Sequence, residues 1–300
     1  MGIVNFKYGL ASQGVPLYGS GQDISGSTYF VDNNSGSDSN DGLTWESAFK
    51  TLAYATTISN LDIARGSDRW ARRNTIYYCA DTETADLVAF PNKCDVIGVG
   101  SYDANTKPGI TGNHVPVNAG NYGTRFINIW FKAPADASPI VTLASTSSGI
   151  QFIGCTFSAT ATTTHAIQAT ASPFLKVIGC RFEGATVTAA ISILAGESGG
   201  TEILNNYFTD GAAVGILLNA STTSSWGSFI AHNIIKSATL TINDASGLYH
   251  VVDNDLISLA TVTGYETPAE ALVCNAALAS RNHLTAANVN FDYPISDTTT

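Results

Sequence analysis

The side chains best suited to chemistry in this chain are carboxylates that recur near one fixed interval. Cleavage of a glycosidic bond needs two carboxyl groups about 5–9.5 Å apart. Glu183 and Asp210 fall one repeat apart, offset by one position, and Asp253 and Asp255 bracket Asn254 with Asp244 nearby. These are the candidate catalytic groups. An acidic, elongated protein also produces such pairs by chance, and no other catalytic pattern supports them. The five histidines (His114, His165, His232, His250, His283) are scattered, and GxSxG, GxGxxG and P-loop patterns are absent.

Asp32, Asp38, Asn40 and Asp41, followed by Gly42, supply closely spaced oxygen ligands of the kind Ca²⁺ takes. The stretch lacks full EF-hand spacing and its terminal Glu, and Asx turns account for the same residues. Calcium is the one cofactor the sequence invites, and none is required. Arg65, Arg69, Arg72 and Arg73 concentrate basic charge in one short stretch. They form either a docking patch for an acidic partner or a solvated face answering the protein's own carboxylates.

What must position these groups is a repeat. Phe152-Ile153-Gly154-Cys155-Thr156-Phe157 has near copies at Val177-Ile178-Gly179-Cys180-Arg181-Phe182 and Ile203-Leu204-Asn205-Asn206-Tyr207-Phe208. Further copies begin at Phe126, Ile230 and Val251, and weaker ones at Val96 and Leu272. A period of this length marks a solenoid. Within each copy apolar and polar residues alternate, then Gly or Asn interrupts where a bend needs left-handed backbone, and alternation resumes. A second apolar run comes next, as at Ile191-Ser192-Ile193-Leu194. Each repeat therefore holds about three short strands and no long helix, which predicts a parallel β-helix. About seven coils would make a rod of roughly 34 Å. The column Cys155, Cys180, Asn206, Asn233, Asn254 then reads as a structural ladder of inward side chains, with Asn275 next in line. Phe157, Phe182 and Phe208 read as a parallel aromatic stack.

At 300 residues with 44% hydrophobic content the chain can bury a long core, and only 13% of residues are charged. A net charge of −10 and a pI near 4.7 argue against nucleic acid or an anionic membrane as partner. No apolar run is long enough to span a bilayer, and the first 25 residues lack the pattern of a signal peptide. Five cysteines without a CxxC suggest neither a disulfide framework nor a zinc site.

Three segments are expected. Residues 1–27 read as an extended attachment arm, apolar through Phe6, Tyr8, Leu10, Val15, Leu17 and Tyr18. Residues 28–74 read as a cap: a strand, a polar loop and a helical stretch over 45–55, capped by Thr44 or Ser47, with Phe49, Leu52, Ala53 and Tyr54 on one face, residues 47–60 forming the lid on the rod. Residues 75–300 read as the β-helix with a closing segment.

The stretch 28–56, a strand ending in Val31-Asp32, then Gly36-Ser37-Asp38-Ser39-Asn40-Asp41-Gly42, then Ala48-Phe49-Lys50-Thr51-Leu52, resembles the start of pectate-lyase-like right-handed β-helix proteins, many of them encoded by tailed bacteriophages. The resemblance implies the fold and its handedness. The Asp-rich calcium cluster and basic Arg of pectate lyases find no match, so no catalytic residue carries over. The expected function is that of a non-enzymatic virion protein of a tailed phage, made in the host cytoplasm, decorating the capsid or forming part of a fibre. Its partners would be capsid or tail subunits and copies of itself, with a trimer implied by the resemblance. The alternatives are a tailspike-like polysaccharide depolymerase, and an adhesin that binds host surface glycans without turnover. Tyr and Trp on an outward groove would favour the adhesin; two carboxylates at catalytic distance would favour the enzyme.

Overall fold

Three-residue strands that bury only their middle residue are the unit from which this chain is built. In Gln151–Ile153, Lys176–Ile178 and Glu202–Leu204 the central Phe152, Val177 and Ile203 are fully buried, while both neighbours face outward. A bend comes next, and its residue takes positive φ in coil after coil: Asn128 (58°), Gly154 (59°), Gly179 (62°), Asn205 (57°), His232 (57°) and Asp253 (53°). Gly and Asn fit that backbone best, which is why they mark the repeat.

The computed structural model describes residues 11–12, 15–16, 26–65, 72–100, 107–117, 121–184, 186–194, 199–218, 227–244, 249–258, 272–274, 279–280, 283–286 and 289–291. Its strands stack in parallel and in register: Gln151 pairs with Lys176, Lys176 with Glu202, and Glu202 with Phe229. The chain is a parallel β-helix. A first sheet of ten strands runs from Thr28–Asp32 to Ala279–Ser280. A second sheet of fourteen carries the other two strands of each coil, such as Thr156–Ser158 and His165–Thr170.

Between the sheets lies one continuous apolar core. Phe131, Phe157, Phe182 and Phe208 stack at 5.2, 5.0 and 4.5 Å between successive ring centroids, with interplanar angles of 11°, 7° and 9°. Register forces this, because equivalent inward residues must sit one strand spacing apart. Outside the first sheet a second apolar column runs Phe30, Tyr77, Ile97, Ile127, Ile153, Ile178, Leu204, Ala231, Val252. All but the buried Ala231 are half-buried.

Three expectations need correction. The first sheet has ten strands rather than the seven coils read from the repeat. Asn74–Cys79 starts the rod as expected, but Thr28–Asp32, assigned to the cap, pairs beyond it, and Ala279–Ser280 extends the other end. The copy placed at Leu272 belongs elsewhere: Leu272–Cys274 pairs with Ile242–Asp244 in the second sheet, and Asn275 lies outside the described residues. The helix spans Leu52–Ala64, and its N-cap is Thr51, whose Oγ1 accepts the N–H of Tyr54. It cannot begin earlier, because Phe49 is clamped to the first strand: its N–H donates to Phe30 and its carbonyl accepts from Asp32. The helix buries Leu52, Ala55, Thr56, Ser59 and Ile63, leaving Ala53 and Tyr54 exposed.

Candidate functional site

The outer face of the second sheet gathers exposed aromatic and charged groups. Register aligns Trp130, Thr156, Arg181, Tyr207, Ile234 and Asp255 in one outward column. Lys132, Ser158 and Glu183 align in the column beside it. Four of these side chains, Trp130, Ser158, Glu183 and Arg181, are linked by hydrogen bonds. Trp130 Nε1 donates to Ser158 Oγ at 2.6 Å, and Ser158 Oγ donates to Glu183 Oε2 at 3.2 Å. Glu183 Oε1 accepts from Arg181 Nε at 2.5 Å. The Arg181 guanidinium lies 5.6 Å from the centre of the Tyr207 ring, and Lys132 Nζ lies 3.8 Å from that of Trp130. Tyr207 is 45% exposed and Ile234 39%.

Thr156 stands in the same outward column, yet it is fully buried. Lys107 covers it. Lys107 Nζ donates to Thr156 Oγ1 at 3.1 Å and to the carbonyl of Gly154 at 2.7 Å. Burial pushes the Lys107 ammonium below its ordinary pKa. Lys107, just ahead of the strand Gly109–Thr111, is thus tied to the bend at Gly154. The strands position the rest: each side chain projects outward because its neighbour, Phe131, Phe157, Phe182 or Phe208, is locked inward.

Among the candidate carboxylates with described side chains, Glu183 and Asp255 stand apart. Glu183 sits in the network above. Asp255 lies three strand steps farther along the same face, about 14 Å at ~4.8 Å per step, which exceeds the separation a glycosidase uses. Asp253 is the bend residue of its coil, and its carbonyl accepts the N–H of His232. Asp210 lies in the strand Tyr207–Leu218, and its side chain is outside the described residues.

The acidic loop is spent on its own turns. Asp32 accepts the N–H groups of Asn34 and Ser35, and the Ser35 hydroxyl. Asp38 accepts from Lys50 N, Thr51 N and Thr51 Oγ1, fixing the entry to the helix. Asn40 Nδ2 donates to the Ala48 carbonyl, and Asp41 accepts from Leu43 N and Ser47 Oγ. Among the described residues no group of three or more His, Cys, Asp or Glu is placed to hold a metal. The basic stretch is likewise divided. Arg72 pairs with Asp62 at 3.1 Å, Arg73 pairs with Asp95, and Arg65 ends the helix; Arg69 lies outside the described residues. Of the arm, Ala11–Ser12 pairs antiparallel with Val15–Pro16, and Phe6, Tyr8, Leu10, Leu17 and Tyr18 lie outside the described residues.

The inward column makes a hydrogen-bonded ladder. Asn254 Oδ1 accepts from Asn233 N and Nδ2, and Asn233 Oδ1 accepts from Asn206 N and Nδ2. Each Nδ2 also donates to a carbonyl of the preceding coil: Ile230, Ile203 and Val177 respectively. The two cysteines keep the pattern, with Cys180 and Cys155 Sγ each 3.3 Å from the Phe152 and Phe126 carbonyls. Burial pushes the Cys180 thiol well above its ordinary pKa.

No known family's sequence pattern matches this chain, and a comparison with characterised proteins finds no match. Among solved structures a rhamnogalacturonan lyase is similar over 86% of this chain and 87% of its own, at 11% identity and a TM-score of 0.33.

Sequence reasoning misses Trp130, Lys132, Ser158, Arg181, Tyr207 and Lys107 as one site. The signal is present in the repeat, because Trp130, Arg181 and Tyr207 occupy the same position, two residues after the bend. The repeat draws attention instead to the inward residue on either side of that position.

Proposed function

We propose that the protein is a non-catalytic β-helical module that binds glycans along the outer face of its second sheet. The observation that supports this is the column Trp130–Arg181–Tyr207, bridged by Ser158 and Glu183 into a row of rings and charged hydrogen-bonding groups. Sugars offer apolar ring faces and hydroxyls, and sites for such ligands combine aromatic surface with a few fixed polar groups. Trp130 and Tyr207 stand three strand steps apart, about 14 Å, room for several sugar units rather than one. Placement on a tailed-phage particle is supported by the resemblance of residues 28–56 alone.

The test is retention of the protein by immobilised bacterial surface polysaccharides, with Trp130→Ala and Tyr207→Ala as variants. Each should weaken retention at least tenfold while leaving the melting temperature nearly unchanged. Release of new chain ends by wild type, lost in Glu183→Gln or Asp210→Asn, would replace this reading with the depolymerase. Retention of both aromatic variants at wild-type strength would remove the site.

A further inference from the structure

Five consecutive coils enter the first sheet through a left-handed bend two residues ahead of the strand. Four of them use glycine there: Gly123 (φ 66°), Gly149 (66°), Gly200 (70°) and Gly227 (74°). The coil between Gly149 and Gly200 uses Phe174 (59°). A bulky side chain is an outlier on such backbone; strain of this kind persists only where the surroundings impose it, and it gathers at functional positions. The stacked bends impose it here. Phe174 N–H donates to the Gly199 carbonyl at 2.9 Å, and Gly149 N–H donates to the Pro173 carbonyl at 2.9 Å. The core gains little from the ring, which is 51% exposed. It lies along the rod against Gly200, where an added Cβ would stand 2.5 Å from it.

A second exposed ring stands two coils on. Phe229 is 43% exposed and stacks on the His250 imidazole, 4.9 Å between centroids at 17°. In the same outward column come Lys176 and Glu202, paired at 2.7 Å and each 31% exposed at the side chain.

We propose that Phe174, Lys176, Glu202 and Phe229 form a second glycan site, on the first sheet, that takes a neutral polysaccharide. Two strand steps of ~4.8 Å set the coils of the two rings about 10 Å apart, room for a short run of sugar units. The rings offer stacking surface to the apolar faces of sugars. The ion pair between them offers donors and acceptors together, which suits hydroxyls, since these both donate and accept. The core of a protein interface is depleted of charge, so a charged pair between the rings favours a sugar chain over a protein partner. The pair carries no net charge, and the chain's charge of −10 opposes a polyanion. Because its residues differ from those of the Trp130–Tyr207 face, one rigid rod would hold two glycan chains.

The test starts from full-length protein carrying Trp130→Ala and Tyr207→Ala, which silence the second sheet, on immobilised neutral bacterial polysaccharides. Residual retention should remain, and adding Phe174→Gly or Phe229→Ala should reduce it at least tenfold. Phe174→Gly should leave the melting temperature unchanged or raise it, because it gives the bend the residue its stacked neighbours use. With both faces intact, the protein should turn a solution of the same polysaccharide turbid by bridging its chains, and Phe174→Gly alone should abolish the turbidity. Wild-type retention of the Trp130→Ala/Tyr207→Ala protein, lost on adding Phe174→Gly, would remove the second-sheet site and keep this one. Complete loss of retention in Trp130→Ala/Tyr207→Ala would overturn the present proposal and leave the second-sheet site standing. A lower melting temperature for Phe174→Gly with unchanged retention would overturn it too, because the ring would then serve the fold. So would residual retention on acidic polysaccharides alone, or a dimer by sedimentation that Phe174→Gly dissociates, since the occupant would then be a second copy.

Discussion

The backbone N–H of Cys180 donates to Oδ1 of Asn206 at 2.8 Å, one coil away, so a thiol and an amide serve as successive rungs of one ladder. Asn233 sits at the middle of the amide series. Replacing it with Leu removes the Oδ1 that accepts from Asn206 N and Nδ2, and the Nδ2 that donates to the Ile203 carbonyl and to Asn254 Oδ1. Each buried polar group left unpaired costs about 1–3 kcal/mol. Asn233→Leu should therefore destabilise by at least ~3 kcal/mol in a urea series. Asn206→Cys should cost clearly less than Asn206→Leu, because a thiol already serves at Cys180. Equal costs for the two substitutions at 206 would mean that the ladder's bonds are not what holds the column.

Phe182 lies between Phe157 and Phe208 in the ring stack. Phe182→Ala opens a cavity in that stack and is expected to cost about 3–5 kcal/mol. Its neighbour Arg181 is 49% exposed at the side chain and paired with Glu183 on the surface, so Arg181→Ala should change stability by under ~1 kcal/mol. It should still weaken glycan retention, because Arg181 links Glu183 to Tyr207. Denaturation and retention measured on the same two variants separate the inward from the outward role.

His114 is fully buried, accepts the N–H of Leu87 at Nδ1, and lies edge-on to Phe131 at 5.5 Å. Burial lowers its pKa to about 4, with nearby Asp86 acting in the opposite direction. The folded state thus holds a neutral imidazole that the unfolded chain protonates near its ordinary value of about 6.5. The resulting stabilisation is complete above about pH 6.5 and is lost as pH falls toward 4, on the order of 3 kcal/mol. His114→Asn keeps an acceptor for Leu87 but cannot titrate. The difference in urea midpoint between wild type and this variant should shrink or reverse between pH 7 and pH 4. A constant difference would place the titration elsewhere.

The stacked columns were legible because a solenoid converts sequence period into spatial register. Once Phe152, Val177 and Ile203 are recognised as equivalent, the positions of Cys155, Cys180 and Asn206 are set. Legibility ended where period gave way to loops of unequal length. Leu272-Val273-Cys274-Asn275 imitates the motif in composition, but Ser280 pairs with Val252, so the true equivalent comes later in the chain. In sequence, Asn282 stands at the same offset from Ser280 as Asn254 from Val252. The helix start was hidden by Phe49, whose backbone is held by a strand distant in sequence. Lys107 was invisible as the partner of Thr156 because it lies outside the repeated motif, where spacing carries no information about what it covers.

The bend residues and the ladder also give the rod a mechanical direction. The hydrogen bonds between strands run along its long axis, so tension applied end to end loads them coil by coil and peels the structure in steps. Between Val177 and Asn254 each step must also break amide rungs, whereas between Phe126 and Cys180 the corresponding rungs are sulfur contacts of 3.3 Å. Weaker donors yield at lower force. Stretched in a force spectrometer, the segment around Cys155 should extend before the one around Asn233, making the thiol rungs the compliant link of an otherwise stiff fibre.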